Sequence, residues 1–166
     1  MDPKRKPSAC KDCPAYDIGI GYCGPVRYTD QPDMTFIFDG PGDMESRFSS
    51  PVFWKSLPGR TIKQWLKDAD IDQSDVQLTN IIRCYLPARK NGTLNEGVRP
   101  PTQAEAEFCM NAHLVPTLQE TDAYGERHII ITVGAVSARF FRGIKGSVEP
   151  HIGVFDSVTD PTRQGS

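Results

Sequence analysis

His128-Ile-Ile-Ile-Thr-Val133, then Gly134, then Ala135-Val-Ser-Ala-Arg-Phe-Phe141 is the stretch on which the fold is read. Its first part is a continuous β-branched run short enough for one strand, and the glycine after it lets the chain turn into the amphipathic helix that follows. Two further apolar runs share that character. Met34-Thr-Phe-Ile-Phe38 lies between Pro32 and the turn Asp39-Gly-Pro-Gly42, and Val76-Gln-Leu-Thr-Asn-Ile-Ile82 is closed by Arg83-Cys84. Ile152-Gly-Val-Phe155 reads as a last strand.

Between these runs lie helical patterns. Ile62, Trp65, Leu66 and Ala69 recur at helical spacing over Thr61 to Ala69, and a second periodic stretch spans Thr102 to Leu118. Thr102 and Glu105 form a capping box at the start of that stretch, where the threonine hydroxyl and the glutamate three residues later satisfy each other's backbone donors. Lys90 to Val98 has no periodicity and reads as an exposed insertion loop. Strands alternating with helices imply an α/β fold. We expect a three-layer α/β/α sandwich with a central, mostly parallel four-stranded sheet. Ligands of such sheets sit outside the carboxyl ends of the strands, which directs attention to Asp39–Asp43, Asn80 and its followers, and Gly134.

The chain has 166 residues, 38% apolar and 24% charged, which fits one soluble domain over 1–166. The basic start Met1-Asp-Pro-Lys-Arg-Lys-Pro has no apolar run after it, so neither a secretory leader nor a membrane association is expected, and a cytoplasmic setting is. With a net charge of −2 the chain as a whole does not advertise nucleic-acid binding. Contacts of that kind must be local, and Arg83, Arg139 and Arg142 are candidates. A phosphate-cradling reading of Asp39-Gly-Pro-Gly-Asp43 fails, because Asp39, Asp43 and Glu45 would repel the phosphate and no Gly-Lys-Ser follows.

Four of the five cysteines form one close pair, Cys10-Lys-Asp-Cys13, and two distant singles, Cys84 and Cys109. The alternatives are buried free thiols or a disulfide framework, and the missing leader argues against the second. Four thiolates suit a tetrahedral zinc or an iron–sulfur cluster, and the split second half favours a cluster over a zinc ribbon with two close pairs. Residues 1–33 are rich in Pro, Gly and Lys and lack apolar periodicity, so a metal would tie this segment to the core. Cys23 reads as a spare thiol.

Taken together, these residues resemble the iron–sulfur, or family 4, branch of the uracil-DNA glycosylases over nearly the whole chain. That family shows an early CxxC, a strand leading into Gly-Glu-Ala-Pro-Gly, an aromatic in Pro-Phe-Val-Gly and then Thr-Asn-Val-Val-Lys-Cys. Arg-Pro-Pro-Thr with a cysteine soon after, Leu-Gly-Ala and a closing His-Pro-Ser complete it. The matching stretches here are Cys10 and Cys13, Phe38-Asp-Gly-Pro-Gly42, Phe53 and Trp54, Thr79-Asn-Ile-Ile-Arg-Cys84, Arg99-Pro-Pro-Thr102 with Cys109, and Val133-Gly-Ala135.

The resemblance implies a [4Fe–4S] cluster on Cys10, Cys13, Cys84 and Cys109, with zinc as the alternative. It also implies a substrate site of Gly40, Gly42, Phe53 or Trp54, and Asn80, with Asp39 positioning a water. The implied reaction is hydrolysis of the N-glycosidic bond of uracil in single- or double-stranded DNA. Two departures stand out. Asp39 is one methylene shorter than the family glutamate, and Asp160-Pro-Thr162 puts a carboxylate where the family has the histidine that supports the leaving base. The second departure raises an alternative, a catalytically inactive DNA-binding or scaffolding module of a larger replication complex. The chain also ends at Ser166, where the family's closing helix is expected. Such domains occur fused to replication proteins in phages, so bacterial or phage-infected cytoplasm is the implied setting.

Overall fold

The computed structural model describes residues 6–50, 54–90, 93–125 and 127–142. Its centre is a parallel sheet ordered β2-β1-β5, made of β1 (Met34–Phe38), β2 (Val76–Asn80) and β5 (Ile129–Val133). The register places Phe38 beside Asn80 on one side and Val133 on the other, so all three strands end at one level. Among the described residues the sheet has three strands, not the expected four; the fourth run, Ile152 to Phe155, lies outside them.

Alternation along β1 builds the two cores. Phe36 and Phe38 point to one face, where Val76 and Leu78 of β2 and Ile62 and Leu66 of α2 (Leu57–Asp68) close a cluster. Ile37 points to the other, packing with Ile81, Ile82, Ala106, Leu114 and Leu118. Helices on both faces make three layers. The helix α2 begins four residues earlier than its apolar spacing announces, because Ser56 Oγ accepts from Gly59 N at 3.3 Å and Pro58 occupies the first turn, where its missing N–H costs nothing. Trp65, counted with the apolar face in the sequence, is 51% exposed.

On the opposite layer, α3 (Gln103–Cys109) and α4 (Val115–Glu120) are joined by a π-helical turn, Met110–Leu114. The capping box is present as expected: Glu105 N donates to Thr102 Oγ1 at 3.3 Å and Thr102 N to Glu105 Oε2 at 2.8 Å. Pro116 explains the change of winding, since it cannot donate to the carbonyl four residues back and its ring crowds that group.

Two expectations change. The stretch read as an insertion loop is an antiparallel hairpin of β3 (Pro87–Lys90) and β4 (Thr93–Val98). Nor does the amino-terminal segment hang on its cysteines alone. Ile20 pairs with Tyr85 and Val26 with Leu78 as antiparallel bridges, and Cys23 N donates to Arg83 O at 2.6 Å, so this segment runs along the free edge of β2 and beyond it. Two helices complete the described chain: α1 (Asp43–Phe48) after the Gly-Pro-Gly turn and α5 (Ala135–Arg142) after Gly134. No helix among the described residues is long and apolar enough to cross a membrane.

Candidate functional site

Asp39 and Asn80, expected at strand ends, lie at the ends of β1 and β2. Asp39 follows β1 directly, and Ile82 N donates to its carbonyl at 3.2 Å, which continues the parallel pairing one step past the sheet. Its side chain crosses to α5, where Oδ1 accepts from Ser137 N at 2.6 Å. That contact satisfies one of the unpaired donors of the helix's first turn and places a carboxylate where the helix dipole favours it. Gly134 makes the approach possible. Its φ is +113°, and a Cβ there would lie 2.4 Å from Asp39 Oδ1, so both backbone and space demand glycine.

Asp39 also lines a cavity of about 240 Å³ outside the strand ends, walled by Gly40, Ile82, Cys84, Arg99, Pro101 and Val136 among others. Arg99 holds its part of the wall through a two-pronged pair with Glu105, Nη2 to Oε1 at 2.6 Å and Nη1 to Oε2 at 2.8 Å. This pairing first, with Thr102 assisting, holds the Glu105 carboxyl below its ordinary value against the opposing effect of burial. Gly42 precedes α1 as its N-cap.

Asn80 is fully buried at the end of β2, and neither Oδ1 nor Nδ2 has a hydrogen-bond partner among the described residues. Trp54 packs against the Phe36–Leu66 cluster with Lys63 Nζ 5.2 Å from its ring centre, and it does not line the cavity. Phe53 and Asp160 lie outside the described residues.

Cys10 and Cys13 of the amino-terminal segment, Cys84 after β2 and Cys109 at the end of α3 line a second, smaller cavity. Cys84 belongs to both cavities. Gly19 lets the amino-terminal segment reach it, since a Cβ on Gly19 would meet Cys84 Sγ at 2.4 Å. Among the described residues no three His, Cys, Asp or Glu side chains are disposed to hold a metal ion. Burial pushes the thiol of Cys84 up to about 11 and that of Cys109 up to about 12, with neighbouring cysteines adding to both shifts. The Cys10 thiol is raised by burial first and by Cys13 second, while Lys6 opposes. These groups bind as thiolates only where something positive replaces the proton.

The surroundings of the four thiols were not foreseen. His113, on the π-helical turn, brings Nε2 to 3.1 Å from Cys10 Sγ and Nδ1 to 3.4 Å from Tyr22 Oη. Lys6 donates to the carbonyls of Tyr16 and Gly19. Arg83, a candidate phosphate contact in the sequence, is 1% exposed and lines this cavity, so it is not available to a DNA surface. Arg139 is exposed, as a surface contact requires. Cys23 stands apart, fully buried, its Sγ donating to Glu45 O at 3.4 Å and its thiol pushed up to about 12 by burial. Residues 25–162 match the family model described as the uracil DNA glycosylase superfamily.

Proposed function

Because this chain belongs to the uracil-DNA glycosylase superfamily, we propose that it is an iron–sulfur uracil-DNA glycosylase, hydrolysing the N-glycosidic bond of uracil in DNA. The observation that carries the reading is Asn80. A fully buried amide with both polar atoms unpaired costs about 1–3 kcal/mol per orphaned group, and such a cost is characteristic of a site awaiting its ligand. A primary amide is the complement of the uracil edge: Nδ2–H donates to O4 while Oδ1 accepts from N3–H. A base reaches such a group only after leaving the helical stack; Asn80 itself is 0% exposed and does not line the cavity beside Asp39, so the base must displace part of what covers it.

In this reading Ser137 N fixes Oδ1 of Asp39, leaving Oδ2 to orient a water toward C1′ of the deoxyribose. The C1′–N1 bond breaks with its electron pair going to the uracil, and the water oxygen bonds to C1′. The water's proton passes by way of Asp39 to solvent, and the uracil anion takes up a proton as it leaves. Phe53 is the proposed stacking face. The shorter reach of Asp39 relative to glutamate is offset because β1 and α5 hold it from two sides.

Cys10, Cys13, Cys84 and Cys109 would hold the [4Fe–4S] cluster. Two features of the structure fit it: the four thiols line one cavity, and a buried guanidinium with unpaired donors stands in the same wall. When bound, the cluster supplies a structural cross-link between the amino-terminal segment and α3. A second reading, a DNA-binding module without catalysis, is favoured by Asp160 and by the commitment of one Asp39 oxygen to capping α5.

Protein purified without oxygen and assayed on a labelled, uracil-containing single-stranded oligonucleotide separates the two. Excision that disappears in Asn80→Ala and Asp39→Ala, with iron and sulfide content unchanged, supports the glycosylase. Wild-type protein that binds the oligonucleotide with a steep salt dependence and releases no uracil establishes the binding module.

A further inference from the structure

Arg83 is the least satisfied charged side chain among the described residues. It is 1% exposed, and only Nη2 is engaged, donating to Thr117 Oγ1 at 3.0 Å and to His113 O at 3.5 Å. Among the described residues Nε and Nη1 have no partner, and no carboxylate forms an ion pair with it. A buried cation left this way costs several kcal/mol unless an anion stands beside it. The space beside it is the cavity walled by Cys10, Cys13, Cys84 and Cys109. Its own backbone N–H already points there, donating to Cys109 Sγ at 3.4 Å.

Lys6 also borders this cavity, but its ammonium is taken by two backbone carbonyls. His113 offers one ring nitrogen to Cys10, with the sign of that contact set by the tautomer. Lys6 keeps its charge and one N–H, whereas Arg83 is the buried cation of the two and has two nitrogens, Nε and Nη1, without a partner. A [4Fe–4S] core bound by four thiolates is a net anion in either oxidation state, and more so when reduced. Its potential is set by charge, hydrogen bonds to sulfur and burial.

We propose that Arg83 is the internal counter-charge of the cysteine-bound cluster, its Nε–H and Nη1–H stabilising the reduced form most and so setting the reduction potential. The proposal rests on the cluster reading above, and its test keeps the two apart. Iron and acid-labile sulfide are counted first; wild-type protein prepared without oxygen that contains neither overturns the cluster, and this proposal with it. Given a cluster, potentiometric titration followed by the visible spectrum compares wild type with Arg83→Gln and Arg83→Lys. Removing the charge should shift the oxidised-to-reduced ratio at a given poise at least tenfold toward oxidised, equivalent to a potential lower by about 59 mV for one electron. Arg83→Lys should retain most of the wild-type potential. Arg83→Gln with a cluster at the wild-type potential, or Arg83→Lys shifted as far as Arg83→Gln, overturns the assignment.

Should Arg83→Gln fail to fold or load, wild-type protein carrying arginine labelled with nitrogen-15 only in the guanidino group decides. Pulsed electron paramagnetic resonance of the reduced cluster should show a weakly coupled labelled nitrogen, and no coupling overturns the proposal.

Discussion

Glu105→Gln tests whether the wall of the cavity beside Asp39 is held by charge. Glu105 accepts both Arg99 prongs, at 2.6 and 2.8 Å, and its Oε2 also takes Thr102 N at 2.8 Å. The glutamate side chain is 4% exposed and the arginine 28%, so the pair belongs between the surface case, worth at most about 1 kcal/mol, and the fully buried case, where losing one partner costs about 3–5. Glutamine keeps one acceptor for the cap and for one prong. The expected loss is therefore about 2–3 kcal/mol, or roughly 4–12 °C in melting temperature for a chain of this size. The sign of the pH dependence follows from the depressed carboxyl. Its folded value lies below the unfolded value of about 4.3, so the stabilisation is complete above that pH and disappears as pH falls through the folded value. Urea midpoints for the two proteins should differ by a constant amount from pH 8 to about pH 5 and draw together as pH falls through the folded value. Equal midpoints at pH 7, or a gap that widens as the pH is lowered below about 4, would refute the reasoning.

Gly134→Ala should destabilise by about 2–4 kcal/mol, because alanine pays for a positive φ and its Cβ pushes Asp39 off Ser137 N; an unchanged urea midpoint would show that the Asp39–α5 contact is not held as described. Asp43→Ala is the contrasting case. Its pair with Arg47 is short at 2.8 Å, but the side chains are 61% and 54% exposed, so the change should stay within about 0.5 kcal/mol, and a loss above about 1 kcal/mol would contradict the surface reading.

The parts of the fold legible in the sequence are those whose signal is local. The runs Met34–Phe38, Val76–Asn80 and Ile129–Val133 are apolar strands closed by turn residues, and Thr102 with Glu105 announces its helix through two side chains three positions apart. The hairpin escaped because β3 and β4 lack apolar alternation. Asn91-Gly92 between them was the available signal, a dipeptide favoured where two strands reverse. The π-helical turn was invisible to a periodicity count, although Pro116 gives its cause.

The site divides in the same way. The position of Asp39 and Asn80 at strand ends was legible because a strand end is a local feature, and the gathering of Cys10, Cys13, Cys84 and Cys109 around one cavity was suggested by their spacing. The place of Arg83 was not legible. In sequence an arginine after an apolar strand reads as surface charge, and its burial follows only when the amino-terminal segment lies along one side of residues 83–85 while α3 and the π-helical turn cover the other. That closure has a consequence for how the two cavities relate. Cys84 stands in both walls, and Cys109 lies at the end of the helix whose first turn holds Arg99 through Glu105. A group bound by Cys84 and Cys109 would therefore fix two sides of the cavity beside Asp39. Packed helices and paired backbone transmit displacement with little give, so what the cysteines bind bears on the shape of the cavity without entering it.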